Sequence, residues 1–147
     1  MDVEIKRLGP GDEAVLERVA QDVFDEAIDP KRLTAYLAEP THHLIVALQA
    51  GEVVGQVAAV IHRHPDKPNE FYIDEIGVTP ALQRRGIATK LLGAVLELGR
   101  RSGCEEAWLG TEAANNQAKG FYESFGVVSE PVVMYTFDLI QVFQGES

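Results

Sequence analysis

Residues 77–92 read GVTPALQRRGIATKLL and decide the fold, because they join the end of a strand to the start of a long helix. Apolar residues recur at three- and four-residue spacing from Arg85 to Arg101, which predicts an amphipathic helix. The first turn of a helix leaves backbone N–H groups without partners and carries a partial positive charge. Gly86 has no side chain to keep an anion away from these amides, and Arg84 and Arg85 add charge. The stretch therefore predicts a phosphate-binding turn, although such an arginine pair is also typical of a solvated face.

Strands and helices are predicted on both sides of this turn. Two period-two runs joined by AGE predict a hairpin. Helical spacing of apolar residues predicts a helix from Glu13 to about Glu26. The strand–helix–strand order from Phe71 to Thr111 predicts a right-handed parallel crossover, which places the Arg84 turn at the carboxyl edge of a strand. The predicted strands are residues 3–8, 42–49 and 52–64 of the hairpin, 70–78 and 105–111, with residues 132–143 as a last strand or pair of strands. The other predicted helices are residues 31–40 and 115–126.

Composition limits the classes of function. A chain of 147 residues has the size of one compact domain, so we predict a single domain over residues 1–147. The net charge of -10 disfavours nucleic acid and anionic membranes as partners and suits a cationic small molecule, although acidity also simply favours solubility. Without a long apolar run or an apolar leader, we expect a cytoplasmic protein with no membrane span. The single cysteine, Cys104, is expected to be a half-buried side chain and not a catalytic thiol.

A second motif lies downstream of the turn. Residues 115–127, NNQAKGFYESFGV, fit the pattern Asn-x-x-Ala-x-x-Phe-Tyr-x-x-x-Gly. Together with GVTPALQRRGIATKLL, this motif resembles the two signatures of the GNAT superfamily of acetyl-coenzyme A dependent N-acetyltransferases, and the resemblance covers most of the chain. The resemblance implies an α/β (α+β) GNAT fold. Such a fold has a mixed, mostly antiparallel six- to seven-stranded sheet with helices on both faces and a splayed parallel strand pair.

Within the superfamily, the chain most resembles aminoglycoside 3-N-acetyltransferases of the gentamicin-modifying type. FYIDEIGV (71–78), RRGIAT (84–89) and MYTFDL (134–139) carry this finer resemblance. It implies acetyl-coenzyme A (acetyl-CoA) as cosubstrate, the 3-amino group of an aminoglycoside as acceptor, antibiotic resistance and a homodimer. The alternatives are an acetyltransferase for a polyamine, an amino acid or a protein N-terminus, and a non-catalytic acyl-CoA sensor. Because a sensor needs neither a catalytic base nor a catalytic acid, the presence of Glu75 and Tyr122 favours catalysis over sensing.

The resemblance assigns two catalytic side chains. Glu75 would take a proton from the substrate ammonium, directly or through water, and Tyr122 would protonate the departing thiolate. In a regular strand Asp74 and Glu75 face opposite sides, so we expect only one of them to face the acceptor. The alternatives are a strand-edge carboxylate at position 75 and a core aromatic at position 122.

The resemblance also implies a cofactor site. Backbone groups around Ile76 would pair with the pantetheine arm and hold the thioester oxygen. Gly77 would leave room for the arm, although a strand glycine also marks a bulge or a close approach by another chain. The turn would hold the pyrophosphate, and Asn115 would cap the second helix and touch the pantetheine. The cofactor residues predicted in this way are Ile76, Gly77, Val78, Gln83, Arg84, Arg85, Gly86, Ile87, Ala88, Thr89 and Asn115.

Carboxylates are the predicted ligands of the acceptor, because a polycationic amino sugar needs several of them. The residues predicted are Asp25, Glu26, Asp29 and Asp138, with Asp22 available beside the first two. A solvated acidic helix face is the alternative for all of these except Asp138, which stands in a predicted apolar strand.

Histidines at two places suggest a metal site. His62 and His64 share one face of a predicted strand, and two further histidines stand at positions 42 and 43. No third ligand stands at a convincing spacing from either pair. We therefore predict no metal site and expect ordinary strand-end histidines.

Overall fold

The structure, a computed structural model, describes residues 2–144. Its internal contacts divide the chain into two compact units, with the division after Gly110. Unit 1 contains the sheet and unit 2 contains two short helices. None of the helices in residues 2–144 combines the length with the apolar character that a membrane-spanning segment requires.

Unit 1 is a five-stranded sheet with the strands in chain order. Neighbouring strands are antiparallel except for the last pair, which is parallel. The mixed, mostly antiparallel sheet is confirmed, but it has five strands in the described residues and not six to seven. The elements are β1 (Glu4–Leu8), a 3-10 helix (Glu13–Glu17), α1 (Pro30–Ala38), β2 (His42–Gln49), β3 (Glu52–His62), β4 (Glu70–Val78), a 3-10 turn (Pro80–Leu82), α2 (Ile87–Arg101) and β5 (Glu106–Trp108).

The predicted hairpin is formed by β2 and β3. Gln49 pairs with Glu52, which leaves a two-residue loop. Both loop residues have positive φ angles, 49° at Ala50 and 79° at Gly51. A two-residue hairpin loop takes this conformation because its backbone twist matches that of the strands.

Helices cover both faces of the sheet, as the resemblance implies. On one face, Leu33 and Leu37 of α1 are buried in one cluster with Leu44 and Val46 of β2. On the other face, the backbone of α2 packs directly against side chains of the sheet. A Cβ atom at Gly99 of α2 would lie 2.7 Å from the Phe71 ring of β4. These close contacts fix the face of each strand that looks toward α2.

The predicted helix over residues 13–26 is wrong, since only the 3-10 helix forms. Beyond it the chain runs along the sheet. The Ala20 N–H donates to the Val53 carbonyl (2.8 Å), and the Val53 N–H donates to the Arg18 carbonyl (2.9 Å). Asp22 has a φ angle of 61°. A helix would need these backbone groups within its own turns, and bonding to β3 takes them away.

Unit 2 contains α3 (Asn116–Glu123) and α4 (Leu139–Val142). The predicted final strand over residues 132–143 is wrong, because no strand of the described residues pairs with it and α4 takes its last part. A run of β-branched residues becomes a strand only where an edge accepts its backbone. Its apolar side chains are exposed, for example 84% at Val132 and 82% at Met134.

Candidate functional site

Strand β4 has an open edge along most of its length. It pairs with β3 from end to end, but β5 pairs only with residues 70–72. The Thr79 N–H donates to β3 (2.9 Å), so the alternation of the strand turns the backbone groups of Ile76 and Val78 to the other edge. Gln83 Nε2 donates to the Val78 carbonyl there (3.2 Å). Ile76 N–H, Ile76 C=O and Val78 N–H therefore face the part of this edge, beyond Tyr72, at which no strand of residues 2–144 pairs.

The turn after β4 has the geometry of an anion site. Gly86 has a φ angle of 84° and forms the N-cap of α2. The first backbone bond into the helix runs from the Lys90 N–H to the Gly86 carbonyl (3.1 Å), and residues 87–89 donate to no acceptor in the described part of the chain. Arg84 and Arg85 are exposed, and neither forms an ion pair within residues 2–144. Free amides and free guanidinium groups are therefore available together.

A β-bulge shapes the centre of β4. Successive β3 residues pair with Ile73 and Glu75, so Asp74 is an extra residue. The bulge moves Asp74 and Glu75 onto the same face, away from α2, and the expectation of opposite faces is wrong for this reason. Both carboxylates lie close enough to the Tyr36 phenol of α1 to affect its pKa. Burial raises the pKa of this phenol most, and the negative charges of Asp74 and Glu75 raise it further. The Tyr36 hydroxyl donates to the His43 carbonyl (3.1 Å).

Burial raises the pKa of both Asp74 and Glu75, and Glu75 is the one of the two that the resemblance assigns as general base. Burial raises its pKa most, and the negative charges of Asp25 and Asp74 raise it further. Hydrogen bonding to the Asp25 backbone and to the Gln56 side chain opposes this rise in pKa. A carboxylate works best as a base near neutral pH when its pKa is raised in this way.

Gly77 is required by the chain's own backbone. A Cβ atom at this position would lie 2.6 Å from the Val23 carbonyl oxygen. Gln56, which is fully buried, donates to the same oxygen (3.3 Å). The segment that contains Val23 therefore lies directly on β4 and brings Asp25 to Glu75.

The predicted acceptor residues fall into different places. Asp22, Asp25 and Glu26 line one open pocket of about 290 Å³. Asp29 does not line it and instead caps α1 by accepting the Arg32 N–H (3.0 Å). Asp138 belongs to unit 2, where it caps α4 by accepting the N–H groups of residues 140 and 141 and lies in no strand.

Unit 2 carries the other two predicted residues. Asn115 caps α3, as predicted, and accepts the Ala118 N–H (3.0 Å). Tyr122 is half-buried, and burial raises the pKa of its phenol. Because this pKa is raised, the phenol keeps its proton at neutral pH. The Tyr122 ring contacts the Phe121 ring edge to face, with the centroids 5.3 Å apart.

Sequence reasoning missed the bulge, Gln56 and Tyr36. The bulge has a signal in the sequence: apolar residues stand at 71 and 73 but then at 76 and 78, so the alternation changes phase once. Gln56 is a polar residue in an otherwise apolar strand, which indicates a buried hydrogen-bonding role. Tyr36 has no comparable signal, because its partners come from β2 and β4.

Comparison with known proteins places this geometry in a family. Residues 14–127 match the sequence profile of the Acetyltransferase (GNAT) family. The N-alpha-acetyltransferase RimI of Mycobacterium tuberculosis is 32% identical over 104 residues, which are 71% of this chain. The chain spans 63% of the length of that relative. An aminoalkylphosphonate N-acetyltransferase of Salmonella typhimurium is 33% identical over 60% of this chain and 58% of its own length.

Solved structures show the same fold. An aminoglycoside acetyltransferase from an uncultured soil metagenomic sample, solved with sisomicin, has a TM-score of 0.77 at 24% identity and covers 92% of this chain and 95% of its own. The aminoglycoside acetyltransferase AAC(6')-Iy, solved with a bisubstrate analogue, has a TM-score of 0.77 at 21% identity over 93% of this chain and 99% of its own. At these identities the likeness concerns the fold.

Proposed function

We propose, since the chain belongs to the Acetyltransferase (GNAT) family, that it transfers the acetyl group of acetyl-CoA to an amino group of a cationic small molecule. The observation that carries the proposal is Glu75. It stands at the bulge of β4, its pKa is raised, and it lies beside Asp25 of the acidic pocket. A general base, an acidic pocket and an open strand edge are the parts that acetyl transfer to an ammonium group needs.

The residues present fit acetyl-CoA. The open backbone groups of Ile76 and Val78 suit an extended amide-containing arm, which can add to a strand edge. The amides of Ile87, Ala88 and Thr89 suit a pyrophosphate, and Gly86 keeps the approach clear. Bound there, acetyl-CoA supplies the acetyl group as an activated thioester. Gln83 holds the turn against β4 by donating to the Val78 carbonyl. Arg84 and Arg85 add positive charge near the pyrophosphate. Gly77 and Asn115 are the remaining residues of the proposed cofactor site.

Two side chains of this protein are proposed to carry out the proton transfers of the reaction. Glu75 takes a proton from the acceptor ammonium, directly or through water, and so frees the nitrogen lone pair that forms the new amide bond. The Tyr122 phenol holds the proton that the departing thiolate requires, and burial keeps that proton in place at neutral pH. The net reaction gives an amide, coenzyme A and one proton.

The proposed acceptor is an aminoglycoside, with the 3-amino group as the acetylated site and antibiotic resistance as the consequence. Asp25 and Glu26 in the acidic pocket support a polycation, and Asp29 and Asp138 remain predicted members of the acceptor set. The alternative acceptors are a polyamine, an amino acid or a protein N-terminus, and the relative named an N-alpha-acetyltransferase supports an acceptor of this kind. The alternative without turnover is an acyl-CoA sensor.

We also propose a homodimer. The many exposed apolar side chains between residues 127 and 143 support a second copy as the partner, because large exposed apolar areas mark interaction sites. The cytoplasmic setting stays a prediction from the sequence.

A thiol-release assay tests the function. Purified protein and acetyl-CoA are mixed with gentamicin, sisomicin, spermidine or a peptide, and NMR of any product locates the acetyl group. Glu75→Gln should lower kcat by about 10²- to 10⁴-fold with the affinity for acetyl-CoA unchanged in calorimetry. Asp74→Asn, the neighbouring carboxylate on the same face, is the matched control and should keep most of the activity. Tight acetyl-CoA binding without turnover of any amine would leave the sensor as the function.

A further inference from the structure

Three side chains at the end of the β3–β4 hairpin form a cluster that acetyl transfer does not use. His62 ends β3 and Glu70 begins β4, and the two are direct cross-strand partners. His64 follows His62 by two residues. One ligand atom from each of the three lies within 4.8 Å of the other two. The register of the hairpin therefore supplies the third group that the spacing in the sequence did not reveal.

We propose that His62, His64 and Glu70 bind one Zn²⁺ ion. Imidazole nitrogen and carboxylate oxygen are ordinary zinc ligands. Zinc bonds of about 2.1 Å at the tetrahedral angle place neighbouring ligand atoms about 3.4 Å apart. His64 Nε2 and Glu70 Oε1 are already 3.5 Å apart. Of the three ligands, only the exposed His62 ring has to move to reach the ion. A water molecule from the solvent can fill the fourth position on the zinc ion.

The hydrogen bonding of the cluster favours a cation over a simple ion pair. His64 Nε2 is buried but has no hydrogen-bond partner in the described residues. Glu70 turns its other oxygen, Oε2, to the Trp108 indole N–H of β5 (3.0 Å). This bond fixes the carboxylate and leaves Oε1 directed to His64, as an outer hydrogen bond orients a metal ligand. At 3.5 Å the contact between His64 and Glu70 forms no hydrogen bond and leaves the buried nitrogen unsatisfied, whereas a zinc ion between the two atoms would bind both.

The site lies where three strands meet. Glu70 pairs with Glu106 of β5, and the Tyr72 ring stacks on Trp108 with the centroids 4.4 Å apart. Bound zinc would tie the end of β3 to the start of β4 and, through Glu70 and Trp108, to β5. We therefore expect the ion to stabilise the paired end of β4 and β5, since a ligand that binds only the folded state raises Tm.

Zinc titration of tag-free, EDTA-treated and desalted protein tests the site. Competition with a chromophoric chelator should give one Zn²⁺ per chain. His62→Ala, His64→Ala and Glu70→Gln should each weaken binding at least about 10-fold, and zinc should raise Tm in the wild type but not in these variants. His42→Ala and Cys104→Ser are controls for another exposed histidine and for the free thiol, and both should bind zinc as the wild type does.

Two further readouts make the test independent of folding. Co²⁺ should give the visible absorption of a tetrahedral site without a thiolate band. Trp108→Phe should weaken zinc binding about 10-fold with the stoichiometry unchanged, because it removes only the bond that orients Glu70. Since His62 is exposed, His62→Ala should fold normally, and circular dichroism checks this. Absence of saturable binding, or equal affinity in the wild type and His62→Ala, would overturn the proposal.

Discussion

Replacement of Gly77 by alanine tests how the site is assembled. The new Cβ atom would lie 2.6 Å from the Val23 carbonyl oxygen, where real Cβ contacts are longer than 3.0 Å. The segment around Val23 must therefore move off β4 by at least about 0.4 Å. Such a movement stretches the 3.3 Å bond from Gln56 to the same oxygen. The buried Gln56 carbonyl already lacks a partner in residues 2–144, so the side-chain amide would then keep only its interaction with Glu75.

The expected cost follows from these two effects. Overpacking costs about 1–3 kcal/mol, and loss of the Gln56 bond adds about 1 kcal/mol. For a chain of this size, each kcal/mol lowers Tm by about 2–4 °C, so Gly77→Ala should unfold at least about 4 °C below the wild type. Because Asp25 moves with the segment, kcat/KM should also fall about 10- to 100-fold.

Gly93→Ala is the matched control. Gly93 lies inside α2, and a Cβ atom there would meet nothing within 4 Å. Alanine favours a helix over glycine by about 0.5–1 kcal/mol, so this variant should be more stable with unchanged activity. Thermal unfolding and thiol release measure both variants. If Gly77→Ala matched the wild type in Tm and in kcat/KM, the close approach of Val23 to β4 would be refuted.

Three further predictions concern charge and association. Asp25→Asn removes a negative charge beside Glu75 but keeps the backbone bond, so the Glu75 pKa should fall. The acidic limb of the kcat/KM profile, where protonation inactivates the base, should then move to lower pH, and an unmoved limb would mean that another group sets it. Arg84→Ala should raise KM for acetyl-CoA more at low salt than at high salt, with the exposed Arg32→Ala unchanged. Val133→Glu places a charge on an exposed apolar stretch and should shift the protein toward monomer in analytical ultracentrifugation; a wild type that sediments as a monomer would contradict the homodimer.

Local signals predicted the parts of the fold that local interactions decide. The hairpin follows from a two-residue loop, and the apolar face of α2 is set by its own spacing, so its predicted start was wrong by only two residues. The cap at Asn115 and the turn at Gly86 are likewise decided by residues close in sequence. For the same reason most of the proposed cofactor site could be named from one stretch.

Distant partners decided what the sequence did not predict. Residues 18–20 have helical spacing, but bonding to Val53 holds them along the sheet. The apolar run after Pro131 has strand spacing, yet a strand also needs an edge to pair with. In the site, Gln56 reaches Glu75 only through the β3–β4 register, and the zinc proposal needs Glu70 opposite His62. Each of these partners lies on another strand, so spacing along one segment gives no sign of it.

The bulge at Asp74 gives β4 one more residue than the sheet has positions for. Ile73 and Glu75 already pair with successive residues of β3, so the register of the strand passes over position 74. Deletion of Asp74 would therefore leave a regular strand in which Glu75 still faces away from α2 and Ile76 still faces it. An inserted residue without a bulge would instead turn every later side chain of β4 to the opposite face. In the evolution of this chain, Asp74 can therefore be lost without changing the direction of Glu75, whereas a further residue needs a bulge to receive it.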